Sequence, residues 1–173
     1  MDKEIEIRKV TPGDIKALQQ IGKQTFFETF SESNTEENIK RYLEEGFSMG
    51  KLAEELANEQ SDFYFALQDK EVIGYLKLNA GESQTEAQDN ESLEIERIYV
   101  LKQYHGQKIG QLLYDKALQI ASERKSKYIW LGVWEKNPRA ISFYKKNGFV
   151  ECDKHIFVLG DDQQTDILMK KML

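Results

Sequence analysis

The most constraining stretch of this 173-residue chain is a strand pattern, a helix pattern and a second strand pattern in direct succession. Over residues 93–100, Leu93, Ile95, Arg97 and Tyr99 alternate with Glu94, Glu96, Ile98 and Val100, a period of two. A polar connection, Leu101–Lys108, follows and contains Gly106. Ile109, Leu112, Leu113, Ala117, Ile120 and Ala121 then share one face of a helix expected over 109–124. Tyr128–Trp134 is an apolar run of the buried-strand type. Strand, helix and strand in this order imply a parallel pair, because parallel neighbours need a crossover of a dozen residues or more. Ligands of open α/β sheets bind where such a strand ends and the next helix begins, beside the free N–H groups of the helix N-terminus.

The rest of the chain builds outward from this unit. Ile5–Val10 alternates as a strand, and Thr11-Pro12-Gly13-Asp14 reads as a turn opening a helix. Ile15, Leu18, Ile21, Phe26 and Phe30 give that helix its apolar stripe. Asn34-Thr35-Glu36-Glu37-Asn38 reads as a cap followed by first-turn acids of a second helix. Ser48 caps a third, carrying Leu52 and Leu56. Asp62–Leu67 and Val72–Leu78 are the arms of a hairpin about Asp69-Lys70, and 80–92 is a polar, acidic loop or ragged strand end. After Trp134, Asn137-Pro138 opens a helix stopped by Gly148, and two strands follow, 149–159 and 165–172. No linker or repeat interrupts the chain, so one domain over 1–173 is expected.

Charge divides unevenly. Residues 1–100 hold 11 basic and 22 acidic side chains, a net of −11, while residues 101–173 carry +5 and the block 101–147 alone +7. This predicts two unlike ligands, one cationic and one anionic. The overall pI near 5.1 argues against nucleic acid as a partner. The apolar runs are too short for a membrane span, and the start shows no apolar secretory region. A single Cys, Cys152, excludes an intrachain disulfide framework and suits a cytoplasmic setting; it is expected to pack within a strand. Two His and one Cys make a zinc site improbable, so no metal is expected.

Two segments carry chemistry. His105-Gly106-Gln107-Lys108-Ile109-Gly110-Gln111 enters the crossover helix, where successive backbone N–H groups cradle an anion and glycines admit a diphosphate. The spacing is neither a Walker loop nor a dinucleotide fingerprint, and the two glycines equally fit a turn and a packing contact. In the second segment, Asn137-Pro138-Arg139-Ala140-Ile141-Ser142-Phe143-Tyr144-Lys145-Lys146-Asn147-Gly148-Phe149, the aromatics fit either a core or a site.

These residues resemble the GNAT family of acetyl-CoA-dependent N-acetyltransferases over nearly the whole chain. The resemblance rests on Glu94-Ile-Glu-Arg-Ile-Tyr-Val100, the loop 105–111 and Trp130-Leu-Gly-Val-Trp-Glu-Lys-Asn137 through Gly148-Phe149. With Phe26-Phe-Glu-Thr-Phe30 and Gln164-Thr-Asp166, the pattern is similar to PaiA-type spermidine/spermine acetyltransferases. The loop departs from the family: His105 stands where Gln or Arg is usual, and Lys108 where the first motif Gly is usual.

The resemblance implies an α/β fold: a mixed, mostly antiparallel sheet of six to seven strands around a parallel β-α-β unit that binds acetyl-CoA, flanked by helices. It implies transfer of acetyl to a primary amine, a polyamine such as spermidine, by direct attack in a ternary complex of a monomer or homodimer. Ile98, Tyr99 and Val100 would pair with the pantetheine arm, joined by the Asn137 side chain. Gly106, Gln107, Lys108, Ile109, Gly110 and Gln111 would wrap the diphosphate, with His105 and Lys146 beside it. Tyr144 would protonate the leaving thiolate, a role that a phenol of pKa ~10 can fill. Glu96, directly or through water, would take the amine proton. Glu94, Glu28 and Trp134 would receive the cationic acceptor. Against these roles stand a solvated sheet face for Glu94 and Glu96 and core packing for Trp134. Acceptors other than polyamines, protein amino groups included, and an acyl-CoA-binding regulatory module are the alternatives.

Overall fold

The computed structural model describes residues 4–86 and 90–173. The sequence readings at residues 1–3 and 87–89 lie outside them. Seven strands form one sheet in the order β1-β2-β3-β4-β5-β7-β6: β1 Ile5–Lys9, β2 Ser61–Gln68, β3 Glu71–Ala80, β4 Ser92–Val100, β5 Tyr128–Trp134, β6 Val150–Leu159 and β7 Asp162–Met172. Five helices accompany it: α1 Ile15–Phe30, α2 Glu36–Gly46, α3 Met49–Ala57, α4 Ile109–Glu123 and α5 Pro138–Lys146. Among the described residues only β4 and β5 pair in parallel, joined by α4, as the crossover pattern requires.

Local chemistry accounts for most boundaries. Asp14 Oδ2 accepts the Thr11 backbone N–H at 2.9 Å ahead of α1, and the Thr35 and Ser48 side chains accept from Asn38 and Lys51 at the starts of α2 and α3. Asp69 and Lys70 both take positive φ (51° and 68°), the geometry that matches a two-residue turn to the twist of its strands. The sheet buries both faces. Leu113, Tyr114, Ala117 and Ile120 of α4 pack on Ile73, Leu76, Leu93 and Ile129. On the opposite face, Leu18, Phe26, Ile39 and Leu52 of α1–α3 pack on Phe63, Phe65 and Tyr75.

The simple alternation expected over 93–100 breaks. Leu78 pairs with Ile95 and Lys77 with Arg97, so Glu96 is an extra residue in β4. Such a bulge shifts everything after it to the other face. Leu93 and Ile95 face α4, but Arg97 and Tyr99 join Glu94 and Glu96 on the side of α1–α3, while Ile98 and Val100 turn toward α4. Cys152 also differs from expectation: it lies in β6 but is exposed, because β6 is the sheet edge and most of it faces outward.

Candidate active site

β4 and β5 part company midway. Their parallel pairing runs only from Ser92↔Tyr128 to Ile95↔Leu131, while β4 continues to Val100 and β5 to Trp134. Beyond the bulge, β4 therefore offers its edge to a cleft of about 1250 Å³. Every sequence-predicted site residue lines this cleft except Gln107, which is exposed away from it.

One end is built from backbone and cations. Gly106 has φ +82°, and an added Cβ at Gly106 or Gly110 would meet nothing within 4 Å, so the loop leaves open space at the start of α4. Lys108, the residue preceding α4, holds φ +63° and ψ +19°. It keeps the left-handed geometry for which the glycine at this place is suited, at roughly 1–2 kcal/mol of strain. Ile109 is core, only 2 % exposed, so its contribution to a ligand is its backbone. Gln111 already donates to Asp115 at 3.0 Å and to Asn147 at 3.3 Å. Lys102, Lys136, Arg139 and Lys146, all from the basic block, line this end. His105 bridges two elements: Nε2 lies 2.8 Å from the Val100 carbonyl, and Nδ1 meets Arg139. Burial, and then the Arg139 charge, hold its pKa below the ordinary value despite the Val100 carbonyl, and with Nδ1 facing the Arg139 guanidinium, Nε2 is placed to donate to that carbonyl. Glu28 Oε1 accepts the Lys102 backbone N–H at 3.0 Å and ties α1 to this loop. The Asn137 side-chain oxygen caps α5 by accepting from Ala140 at 3.2 Å, which leaves its amide N–H groups for a ligand. Tyr144, only 6 % exposed, stands between Phe143 and Phe149 with its phenol pushed far above its usual pKa by burial.

The other end is built from side chains and is acidic. Glu94 and Glu96 are not on a solvated sheet face. Glu94, 3 % exposed, accepts from Asn79 at 3.0 Å and from the Thr85 backbone at 2.8 Å. Burial raises its pKa in spite of those donors. Glu96 accepts from Lys77 at 2.9 Å, Arg97 at 3.0 Å and Asn79 at 2.9 Å, and these cations hold its pKa below the ordinary value although burial opposes them. Glu55 of α3 closes the network, 2.9 Å from Lys77 and 3.3 Å from Arg97. Aromatic rings wall the remainder: Phe30 lies 4.9 Å from Trp134 and 6.1 Å from Phe157. The indole N–H groups of Trp130 and Trp134 are committed to Gln84 and Gln164, each at 2.7 Å.

This end contains groups to which sequence reasoning gave no role. Thr85, Glu86, His155 and Asp166 reach it from segments far apart in the chain. The signals were slight: Asp166 ends the quoted Gln164-Thr-Asp166, and Gly132 breaks the otherwise apolar face of β5. Among the described residues, no group of three His, Cys, Asp or Glu is placed to hold a metal ion, and no helix is long and apolar enough to cross a membrane.

The model of the acetyltransferase (GNAT) family matches residues 17–149. The chain belongs to that family. The chain is 40 % identical to an uncharacterised N-acetyltransferase of Lactobacillus delbrueckii subsp. lactis over 98 % of each chain. It is 28 % identical to the spermidine N(1)-acetyltransferase of Thermoplasma acidophilum over 96 % of each. The crystal structure of the PaiA N-acetyltransferase from Thermoplasma acidophilum in complex with coenzyme A superposes with a TM-score of 0.81, covering 98 % of this chain and 99 % of that one. The protein is thus a GNAT enzyme, an acetyl-CoA-dependent N-acetyltransferase, with the seven-stranded mixed sheet of that fold.

Proposed function

We propose that this acetyltransferase transfers the acetyl group to a primary amine of a small polycation of the spermidine class. The observation that carries this reading is the polarity of the single cleft: five lysines and arginines at the loop end, carboxylates and aromatic rings at the other. A co-substrate carrying several phosphate charges suits the first end, and an ammonium flanked by rings suits the second. The named activity of the Thermoplasma relative, a spermidine N(1)-acetyltransferase, supports the same class.

Acetyl-CoA supplies an activated thioester, and the chain supplies its placement. The β4 edge at Ile98, Tyr99 and Val100 offers backbone groups to an extended arm where β5 has moved away. The N-terminus of α4, from Gly106 to Gly110, offers N–H groups to the diphosphate. Lys108, in left-handed geometry, keeps the path that a glycine there would take. The His105 ring on the Val100 carbonyl fixes the turn that joins these two surfaces.

Proton handling falls to three side chains. Tyr144 stays protonated throughout the neutral range, so it enters as a hydrogen-bond donor to the departing sulfur. The Glu94–Glu96 pair, bridged by one Asn79 amide nitrogen, receives the amine proton through water. Glu96 stays ionised and attracts the incoming ammonium. Glu94, with its raised pKa, is the stronger base of the two.

The test is acetylation of an amine panel (spermidine, lysine, a basic peptide and simple alkylamines) with mass spectrometry of the products. Acetylated spermidine with an unmodified peptide supports the reading. A modified peptide N-terminus with no acetylated polyamine overturns it.

A further inference from the structure

A slot in the floor of the acidic end has not been given an occupant. Residues 130, 132 and 134 of β5 point to the same face, and two of them are tryptophans pinned by their indole N–H groups. The third is Gly132, which is exposed although it lies in the middle of an interior strand. A glycine there weakens the strand and removes the side chain that would fill the gap. An added Cβ would stand 3.4 Å from Asp166 Oδ2 and 3.4 Å from Leu168, so the Asp166 carboxylate leans over this opening.

The sheet puts Asp166 in the slot from two directions. It is the register partner of Trp134 on β5 and of His155 on β6, so all three share a face. His155 Nδ1 contacts the Glu86 carboxylate, which places one more carboxylate beside the opening. Among the described residues Asp166 makes no side-chain hydrogen bond and no ion pair. Its titratable neighbours are His155 and Glu86, and burial pushes its pKa up to about 6. The contrast with the rest of this end decides which carboxylate is free. Glu96 and Glu55 are matched by Lys77 and Arg97, and Glu94 already accepts from Asn79 and from Thr85. A half-buried carboxylate with no donor, facing a cleft walled by Trp134 and Phe157, is the environment an ammonium would complete.

We propose that Asp166 anchors a second ammonium group of the acceptor, with Gly132 leaving the slot through which the chain reaches it. This selects acceptors bearing two or more positive charges. The inference rests on the acceptor class proposed above. It goes further in naming the anchor and in requiring a dication. Glu94 is opposite Trp130 and Asp166 opposite Trp134, so four residues of β5, about 13 Å of strand, separate the two sites along the sheet. An extended diamine fits such a span, whereas a compact monoamine fills only the reacting end.

The test compares α,ω-diamines with n-alkyl monoamines of equal length as acceptors, in the wild type, Asp166→Asn and Gly132→Ala. The expected result is a fall of about tenfold in the diamine-to-monoamine ratio of kcat/KM in Asp166→Asn, carried by KM, with a change in the same direction in Gly132→Ala. An unchanged ratio overturns the proposal. So does an equal loss for both acceptors carried by kcat, which places Asp166 at the reacting nitrogen or in the fold. A wild type that prefers monoamines also overturns it, while leaving small-amine acetylation standing. Calorimetric titration of the diamine separates the remaining case. If no amine is acetylated, weaker diamine binding in Asp166→Asn retains the anchor and rejects the acceptor class, and equal binding rejects both.

Discussion

The two ends of the cleft are made in different ways. The cationic end is local in sequence: one turn, one helix start and one neighbouring cap supply it, largely through backbone, and its side chains are exposed. The acidic end gathers side chains from α3, β3, β4, β5, β6 and β7, and its carboxylates are buried or half-buried. A backbone site tolerates unusual side chains, and Lys108 in a glycine-like conformation is an instance. A site of buried charges does not, because each ion depends on partners from other elements.

That contrast breaks most visibly at Lys77. Lys77→Met removes the cation between Glu55 and Glu96 and leaves Arg97 as the one cation of this network that both carboxylates share. The expected loss is about 3–5 kcal/mol of unfolding free energy, read by urea denaturation. At the cationic end, Lys102→Met should leave the urea midpoint within about 0.5 kcal/mol of wild type, since Lys102 is exposed and away from such a network. Equal losses at the two positions would erase the distinction.

A second measurement concerns chemistry at the junction of the two ends. Tyr144→Phe keeps the ring between Phe143 and Phe149 and deletes only the donor. Its kcat is expected to fall about a hundredfold with a small change in the KM for acetyl-CoA. A kcat within twofold of wild type would remove Tyr144 from the proposed chemistry.

The third prediction uses pH. Asp166 has its folded pKa raised to about 6 from an ordinary 3.8, so folding favours its protonated form. Its favourable contribution is complete in acid and is lost as pH rises through about 6. Asp166→Asn is therefore expected to melt about 2 °C higher than wild type at pH 7.5 and to match it near pH 4. Glu96 runs the opposite way. Its depressed folded pKa gives stability that is present above the ordinary carboxylate range and is lost as pH falls through the folded value. Thermal melts from pH 3 to 8 separate the two carboxylates.

A small effect of the opposite sign is expected at the loop. Lys108→Gly relieves roughly 1–2 kcal/mol of left-handed strain and gives back about 0.5–1 kcal/mol through the freer unfolded chain. The net is a gain of about 0.5–1 kcal/mol, measured by urea denaturation. Because the backbone path is already that of a glycine, acetyl-CoA affinity should change by less than threefold.

The helices and strands were legible because their signals are local. The caps at Thr35 and Ser48, the turn at Asp69-Lys70 and the apolar stripe of α4 each act within a few residues. The residues lining the loop end could be named from the chain for the same reason. The bulge at Glu96 could not, since an extra residue shows only when a partner strand fixes the register. It moved Arg97 and Tyr99 to the acidic face and converted a plain alternation into a buried ion network. The sequence expectation puts Glu28 at the acceptor. Glu28 lines the cleft and also accepts a backbone N–H from the loop, a contact spanning 74 residues of sequence that the chain alone does not reveal.

The amino-acid sequence by itself determined the element order, the single parallel crossover and the separation of charge between the two halves. These follow from periodicity, caps and residue counts, which need no knowledge of distant contacts. Tertiary structure alone decided which carboxylates are occupied and which is free. Pairing across β3, β4, β5, β7 and β6 gives Glu96 its cations and leaves Asp166 without a donor above Gly132, because the partners of a buried charge are set by sheet register rather than by neighbours along the chain.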